Sequence, residues 1–102
     1  MSDIFYPHAL ADGYTTNHEA ILDLGQAFES AKPASVVRYF ILAKSWDAFY
    51  DFRVIVQYKN GPIGYADSEV PSDALEGARA PLLRLIVDAW VKQLSLAAVR
   101  GA

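Results

Sequence analysis

The chain has 102 residues, 53% hydrophobic and 21% charged, with nine basic and twelve acidic residues and no cysteine. Such a composition belongs to ordered globular proteins, and one domain spanning residues 1–102 is expected. The net charge near −3 is thinly spread, which argues against the basic stripe of a nucleic-acid binder and against a dense acidic mimic of nucleic acid; the missing thiols exclude disulfides and thiolate metal sites.

Residues 1–14 show no clear period and contain Pro7 and Gly13, so they read as an extended arm docked through Phe5 and Tyr6. MSDIFYPHAL has neither a basic start nor an apolar run and does not read as a signal peptide. In TTNHEAILDLGQAFESAK, Thr16 and Glu19 have the spacing of a capping box. Ile21, Leu24, Gly25 and Phe28 then recur at helical intervals, and Pro33 disfavours helical geometry before it. Residues 35–44, SVVRYFILAK, are β-branched and aromatic, as strands are. KSWDA, residues 44–48, connects them to a longer strand, although strict alternation already begins at Trp46. Trp46, Ala48, Tyr50, Phe52, Val54, Val56 and Tyr58 share one face; Asp47, Phe49, Asp51, Arg53, Ile55, Gln57 and Lys59 share the other.

Asn60-Gly61 suits a type I′ hairpin turn, while Pro62 weakens a two-residue register because it cannot donate to the ladder. Residues 63–68 form a short third strand at an edge. Ser72 is a candidate N-cap, with Asp73 and Glu76 at the positive end of the helix dipole. Pro81 either kinks this helix or lies in the first turn of a second one. From 82 to 99 the sequence is apolar almost all round, apart from a stripe of Arg84, Asp88, Lys92 and Ser95 that interrupts any membrane span; Arg100-Gly101 ends it. The fold class is α+β: an N-terminal helix, a three-stranded antiparallel sheet and a long C-terminal helix.

The order α-β-β-β-α is similar to that of the double-stranded RNA-binding domain. Members of that family open the last helix with a lysine cluster that grips phosphates. Here the segment reads SDALEGARAP, with Arg79 its only cation, and no nucleic-acid partner is expected.

Closing the first hairpin with Ala43 opposite Ala48 pairs Ile41 with Tyr50, Tyr39 with Phe52 and Val37 with Val54 on the core side. The second side then holds Leu42 opposite Phe49, Phe40 opposite Asp51, Arg38 opposite Arg53 and Val36 opposite Ile55. A plain solvated face would alternate polar more cleanly. Two arrangements are open. The C-terminal helix covers this second face in a helix-sheet-helix sandwich, or both helices pack on the Tyr50 face and the second face binds a partner. The candidate partner-binding residues are Arg38, Phe40, Phe49, Asp51, Arg53 and Ile55. The apolar surplus of residues 82–99 points to a homodimer or a partner protein.

Catalytic chemistry is sparse. His8 and His18 lie near the N-terminus, and Asp3, His8, Asp12 and His18 match no metal-ligand spacing. GPIG is hairpin punctuation rather than a phosphate loop. Asp47 and Asp51, four apart on one strand, are about 13 Å apart, too far for a glycosidase pair. A ligand pocket would need Tyr50, Tyr58, Tyr65 and Trp90 to converge. The expectation is therefore a cytoplasmic, non-enzymatic protein with no cofactor, no metal and no membrane partner. It acts by binding and modulating another protein, itself, or both. In general character it is similar to the small accessory and anti-defence proteins of phages and mobile elements, a likeness that no motif carries.

Overall fold

The computed structural model describes residues 11–77 and 79–101, the last five of them by backbone alone. The elements are α1 (Ala20–Ala31), β1 (Val36–Trp46), β2 (Phe49–Tyr58), β3 (Ile63–Pro71), α2 (Ser72–Gly77) and α3 (Arg79–Gly101). The strands form one antiparallel sheet in the order β1-β2-β3. This is the expected α+β arrangement, with the C-terminal helical region divided in two. Pro81 lies in the first turn of α3, where its missing N–H has no intrahelical acceptor to lose.

The helix α1 begins later than the Thr16–Glu19 spacing predicts. Glu19 is the cap residue and makes no side-chain cap bond. Instead His18 Nδ1 accepts the Ala20 N–H at 3.0 Å. The chain upstream is drawn to the sheet. Thr15 bridges Ala43 through two backbone bonds of 2.8 and 2.9 Å, so Thr16 is still outside the helix. At the helix start, Arg79 approaches Glu19 at 3.6 Å and Asp23 at 3.7 Å, tying α1 to α3.

The first hairpin is tighter than the sequence suggests. Trp46 pairs with Phe49 and Ala43 with Phe52, leaving only Asp47 and Ala48 in the turn. Asp47 takes φ 50°, the left-handed region that Asp tolerates better than most residues. The predicted register is therefore displaced by four residues. An even displacement keeps each side chain on its face, so the division between core and second face survives except near the ends. At the turn, Trp46 belongs to the second face rather than to the Tyr50 face. A bulge between Val36 and Arg38 turns Val36 into the core and leaves Val37 exposed, the reverse of expectation. Arg38 lies opposite Gln57, so the predicted Arg38–Arg53 opposition does not occur.

The second hairpin is a three-residue loop, Lys59 to Gly61, closed by Gly61 N–H on the Tyr58 carbonyl and Tyr58 N–H on the Pro62 carbonyl, both 2.9 Å. Gly61 supplies the φ of 109° that this loop requires. β3 runs to Pro71, three residues beyond the expected end.

One core lies between the sheet and the helices. It joins Ala20, Leu24 and Phe28 of α1, Leu75 of α2, and Leu83, Ile86, Val87, Trp90 and Leu94 of α3 to the Val36, Ile41, Phe52, Val54, Val56, Ala66 and Val70 side of the sheet. Trp90 is fully buried and its indole N–H donates to the Phe52 carbonyl at 3.2 Å. Phe28 meets Trp90 and Tyr39 edge-on at 5.8 and 4.9 Å. Both long helices thus occupy the same face, and the sandwich arrangement is not formed. With five side chains of α3 buried, its expected apolar surplus reduces, among the described side chains, to Leu85 and Leu96.

Candidate partner-binding face

The face of the sheet away from the helices carries Arg38, Phe40, Leu42, Lys44 and Trp46 from β1, and Phe49, Asp51, Arg53, Ile55 and Gln57 from β2. Ile63, Tyr65, Asp67, Glu69 and Pro71 complete it from β3. The six candidate residues are therefore brought onto one face, but they do not play one role.

Arg53 is at its centre, opposite Leu42 on one side and Asp67 on the other. Its guanidinium makes a two-pronged ion pair with Asp67, Nε to Oδ1 at 2.6 Å and a terminal nitrogen to Oδ2 at 2.9 Å. The same group lies 4.6 Å from the ring centres of both Tyr14 and Tyr65. Carboxylate pairing and ring stacking suit a planar guanidinium far better than an ammonium, so Lys would not replace Arg here. Asp67 is itself fixed from behind: the Gln93 side chain of α3 donates to its carbonyl at 2.8 Å and accepts its N–H at 3.2 Å. The Asp67 hydrogen bond raises the Arg53 pKa further above its ordinary value, against the opposing effect of burial.

Tyr14 reaches over this centre from the segment before α1. Gly13 at φ 83° turns the chain there, and the Tyr14 N–H closes the turn on the Ala11 carbonyl. The Tyr14 hydroxyl donates to Asp51. Burial, the Asp51 bond and the Asp51 charge all raise the tyrosine pKa. Burial also raises Asp51, while the Tyr14 bond counteracts it and the Asp67 charge adds to it. Arg53 thus stands between two carboxylates, paired directly with Asp67 and acting on Asp51 through its charge. Beneath it, Ala11 and Tyr14 cover Leu42 and Ile55. Ile55 is fully buried and forms no part of an exposed surface.

The rim is different. Phe40 (37%), Trp46 (43%), Phe49 (37%), Ile63 (44%) and Tyr65 (48%) are all substantially exposed, and Arg38 is exposed beside Phe40. Trp46 and Phe49 stack across the end of the first hairpin at 5.8 Å. Sequence reasoning missed Trp46 because alternation was carried through the turn. It missed Tyr65 and Asp67 because the third strand was read only as an edge. The Asp67–Arg53 opposition follows from the register that the Lys59–Gly61 loop sets, and that signal was available. Nothing in the sequence around Tyr14 announces its contact with Asp51.

Other sequence candidates separate. Asp47 is in the turn, so it shares no strand face with Asp51. Tyr65 points away from the side that holds Tyr50, Tyr58 and Trp90, so those four do not converge on a pocket. Asp3, His8, Phe5 and Tyr6 lie outside the described residues; His18 is engaged at the start of α1. No group of three or more His, Asp or Glu side chains gathers among the described residues, and no helix among them is long and apolar enough to cross a membrane. Comparison with protein-family models, curated proteins and solved structures finds no match.

Proposed function

We propose that the protein acts without catalysing a reaction, by docking the open face of its sheet on a partner protein and modulating that partner. The observation that carries this reading is the grouping of Phe40, Trp46, Phe49, Ile63 and Tyr65 on the one face the helices leave uncovered. Single exposed apolar residues need no explanation, but five on one sheet face do: Trp46 and Phe49 at the hairpin end, and Phe40, Ile63 and Tyr65 on the other side of the Arg53 centre. Trp, Tyr and Arg are the residue types that dominate interface energetics. Arg53, already held by Asp67 and two rings, would lose little conformational freedom on contact, which favours affinity.

Capture from a lysate of the source organism tests the reading if the bait is varied. Phe49→Glu places a charge at the rim of the face, and Leu85→Glu places one on the exposed side of α3. A protein retained by the wild type and by Leu85→Glu but lost with Phe49→Glu, with all three baits melting alike, is the expected result. Identical capture by all three baits contradicts it. Ile55→Glu is unsuitable as a bait, because a charge there must be buried unpaired, at several kcal/mol, and should unfold the domain.

A further inference from the structure

Leu42 and Ile55 are fully buried, although both stand on the sheet face away from the helices. Ile55 lies in a cross-strand row with Phe40 and Tyr65, and Leu42 in the next row with Arg53 and Asp67. Among the described residues, the apolar cover over the pair is Ala11 and Tyr14. The chain reaches them round the β1 edge, where Thr15 pairs with Ala43. It turns at Gly13, so that the Tyr14 N–H meets the Ala11 carbonyl at 2.9 Å. Ala11, Tyr14, Leu42 and Ile55 form a cluster separate from the main core. The turn can therefore leave the face without opening the packing of the helices on the sheet.

The seat of Tyr14 is built from groups that other elements hold in place. Arg53 is fixed in its plane by Asp67, and Asp67 by Gln93 of α3. Tyr65 supplies a second ring 4.6 Å from the guanidinium carbon, and Asp51 accepts the Tyr14 hydroxyl. A ring beside a guanidinium gains cation–π attraction, and a half-buried carboxylate needs a donor. Together the two requirements describe a phenol; a phenylalanine meets only the first. Beside the ring, Leu42 and Ile55 take a small apolar side chain, the part Ala11 plays three residues earlier. We propose that this seat receives a tyrosine of the partner protein, carried on a turn with a small apolar residue three positions before it, and that Tyr14 holds the seat in the isolated chain. The inference rests on the docking proposed above and names what the partner presents to the centre of that face. Displacing the turn uncovers Leu42 and Ile55 beside Phe40 and Tyr65 and so enlarges the apolar part of the contact.

The probe is the peptide of residues 11–15, Ala-Asp-Gly-Tyr-Thr with blocked ends, and full-length chains are its targets. Tyr14→Ala vacates the seat and leaves its walls in place. It should bind the peptide about tenfold tighter than the wild type does, because the wild-type chain carries its own competitor. A peptide with phenylalanine in place of tyrosine should bind Tyr14→Ala about tenfold more weakly, the worth of one hydrogen bond to a charged group. Tyr14→Phe keeps the ring and loses only the hydroxyl, so its affinity for the peptide should fall between the other two; it answers the same question if Tyr14→Ala melts below the temperature of the measurement. Equal affinity for the wild type and the variants, or indifference to the peptide's hydroxyl, overturns the proposal. As a capture bait, Tyr14→Ala should retain more than the wild type does of a protein whose retention Phe49→Glu abolishes. Equal retention overturns the tyrosine seat and leaves the docking reading standing, whereas finding no protein that depends on Phe49 overturns both. A wild-type mass above 11.2 kDa in sedimentation, returned to one chain by Tyr14→Ala, overturns it differently, by assigning the seat to Tyr14 of a second copy.

Discussion

His18 links local structure to pH more directly than any other side chain. Its neutral ring accepts the Ala20 N–H and rests edge-on against Tyr50 and Phe52 at 4.7 and 5.3 Å. Burial lowers its pKa below the ordinary 6.5; Glu19 opposes that shift and Arg79 assists it. As pH falls, the unfolded chain therefore takes up the proton before the folded one. The stabilisation is complete above about pH 6.5 and is lost as pH falls through the lower folded value. Asp51 works in the opposite sense. Its raised pKa makes a contribution that is present below the ordinary 3.8 and lost as pH rises through the folded value. The melting temperature should fall between pH 7 and pH 5. His18→Asn, whose amide oxygen can take over the cap, should flatten that slope. An equal slope in the variant would show that His18 is not the titrating group. Thr16→Ala should leave stability unchanged, since Thr16 caps nothing; a loss of about 1 kcal/mol, typical of a removed cap, would contradict the observed start of α1. The Thr16–Glu19 motif was legible, but the bridge from Thr15 to Ala43 is a long-range contact that local spacing does not reveal. A histidine cap has no conventional sequence signal.

The second strand and its faces were legible from period-two alternation and the first from its β-branched and aromatic residues, except at Val36, Val37 and Trp46. Their register was not, because alternation is silent about displacements by an even number of residues. The turn at Asp47-Ala48 also lacks the Asn-Gly or Asp-Gly signature that would have announced it. The true Asn-Gly, at Asn60-Gly61, belongs to a three-residue loop whose need for positive φ falls on Gly61 alone. Gly61→Ala should therefore cost about 1–2 kcal/mol, the usual penalty for an L-residue in left-handed geometry, read as a lower urea midpoint at unchanged slope. An unaltered midpoint would mean that the loop rearranges freely and does not set the β2–β3 register. That register matters to the face, because it is what places Asp67 opposite Arg53. In α3 the apolar pattern was legible but over-read. Trp90, Leu94 and their neighbours use a broad stripe, as a helix packed against both a sheet and a second helix requires.

For the whole molecule, the decisive fact is that α1 and α3 share one side of a three-stranded sheet. The aromatic contact from Tyr39 through Phe28 to Trp90 joins sheet, α1 and α3 at that core. Phe28→Ala should cost about 3–5 kcal/mol and release both helices in one cooperative transition. Separate transitions would show that α1 and α3 do not depend on a common core. The sequence could not choose between covering the second face and leaving it open, because both arrangements use the same alternation; the choice lies in how the connections bring the helices round. Trp46 is therefore exposed on the sheet face away from the helices, while Trp90 is sealed beneath them. Acrylamide quenching of tryptophan fluorescence separates the two. The wild type should show one accessible and one protected fraction, and Trp46→Phe should leave only protected, blue-shifted emission from Trp90. If Trp46→Phe instead leaves the accessible fraction unchanged, the face is covered, and the account of it as a binding surface is wrong.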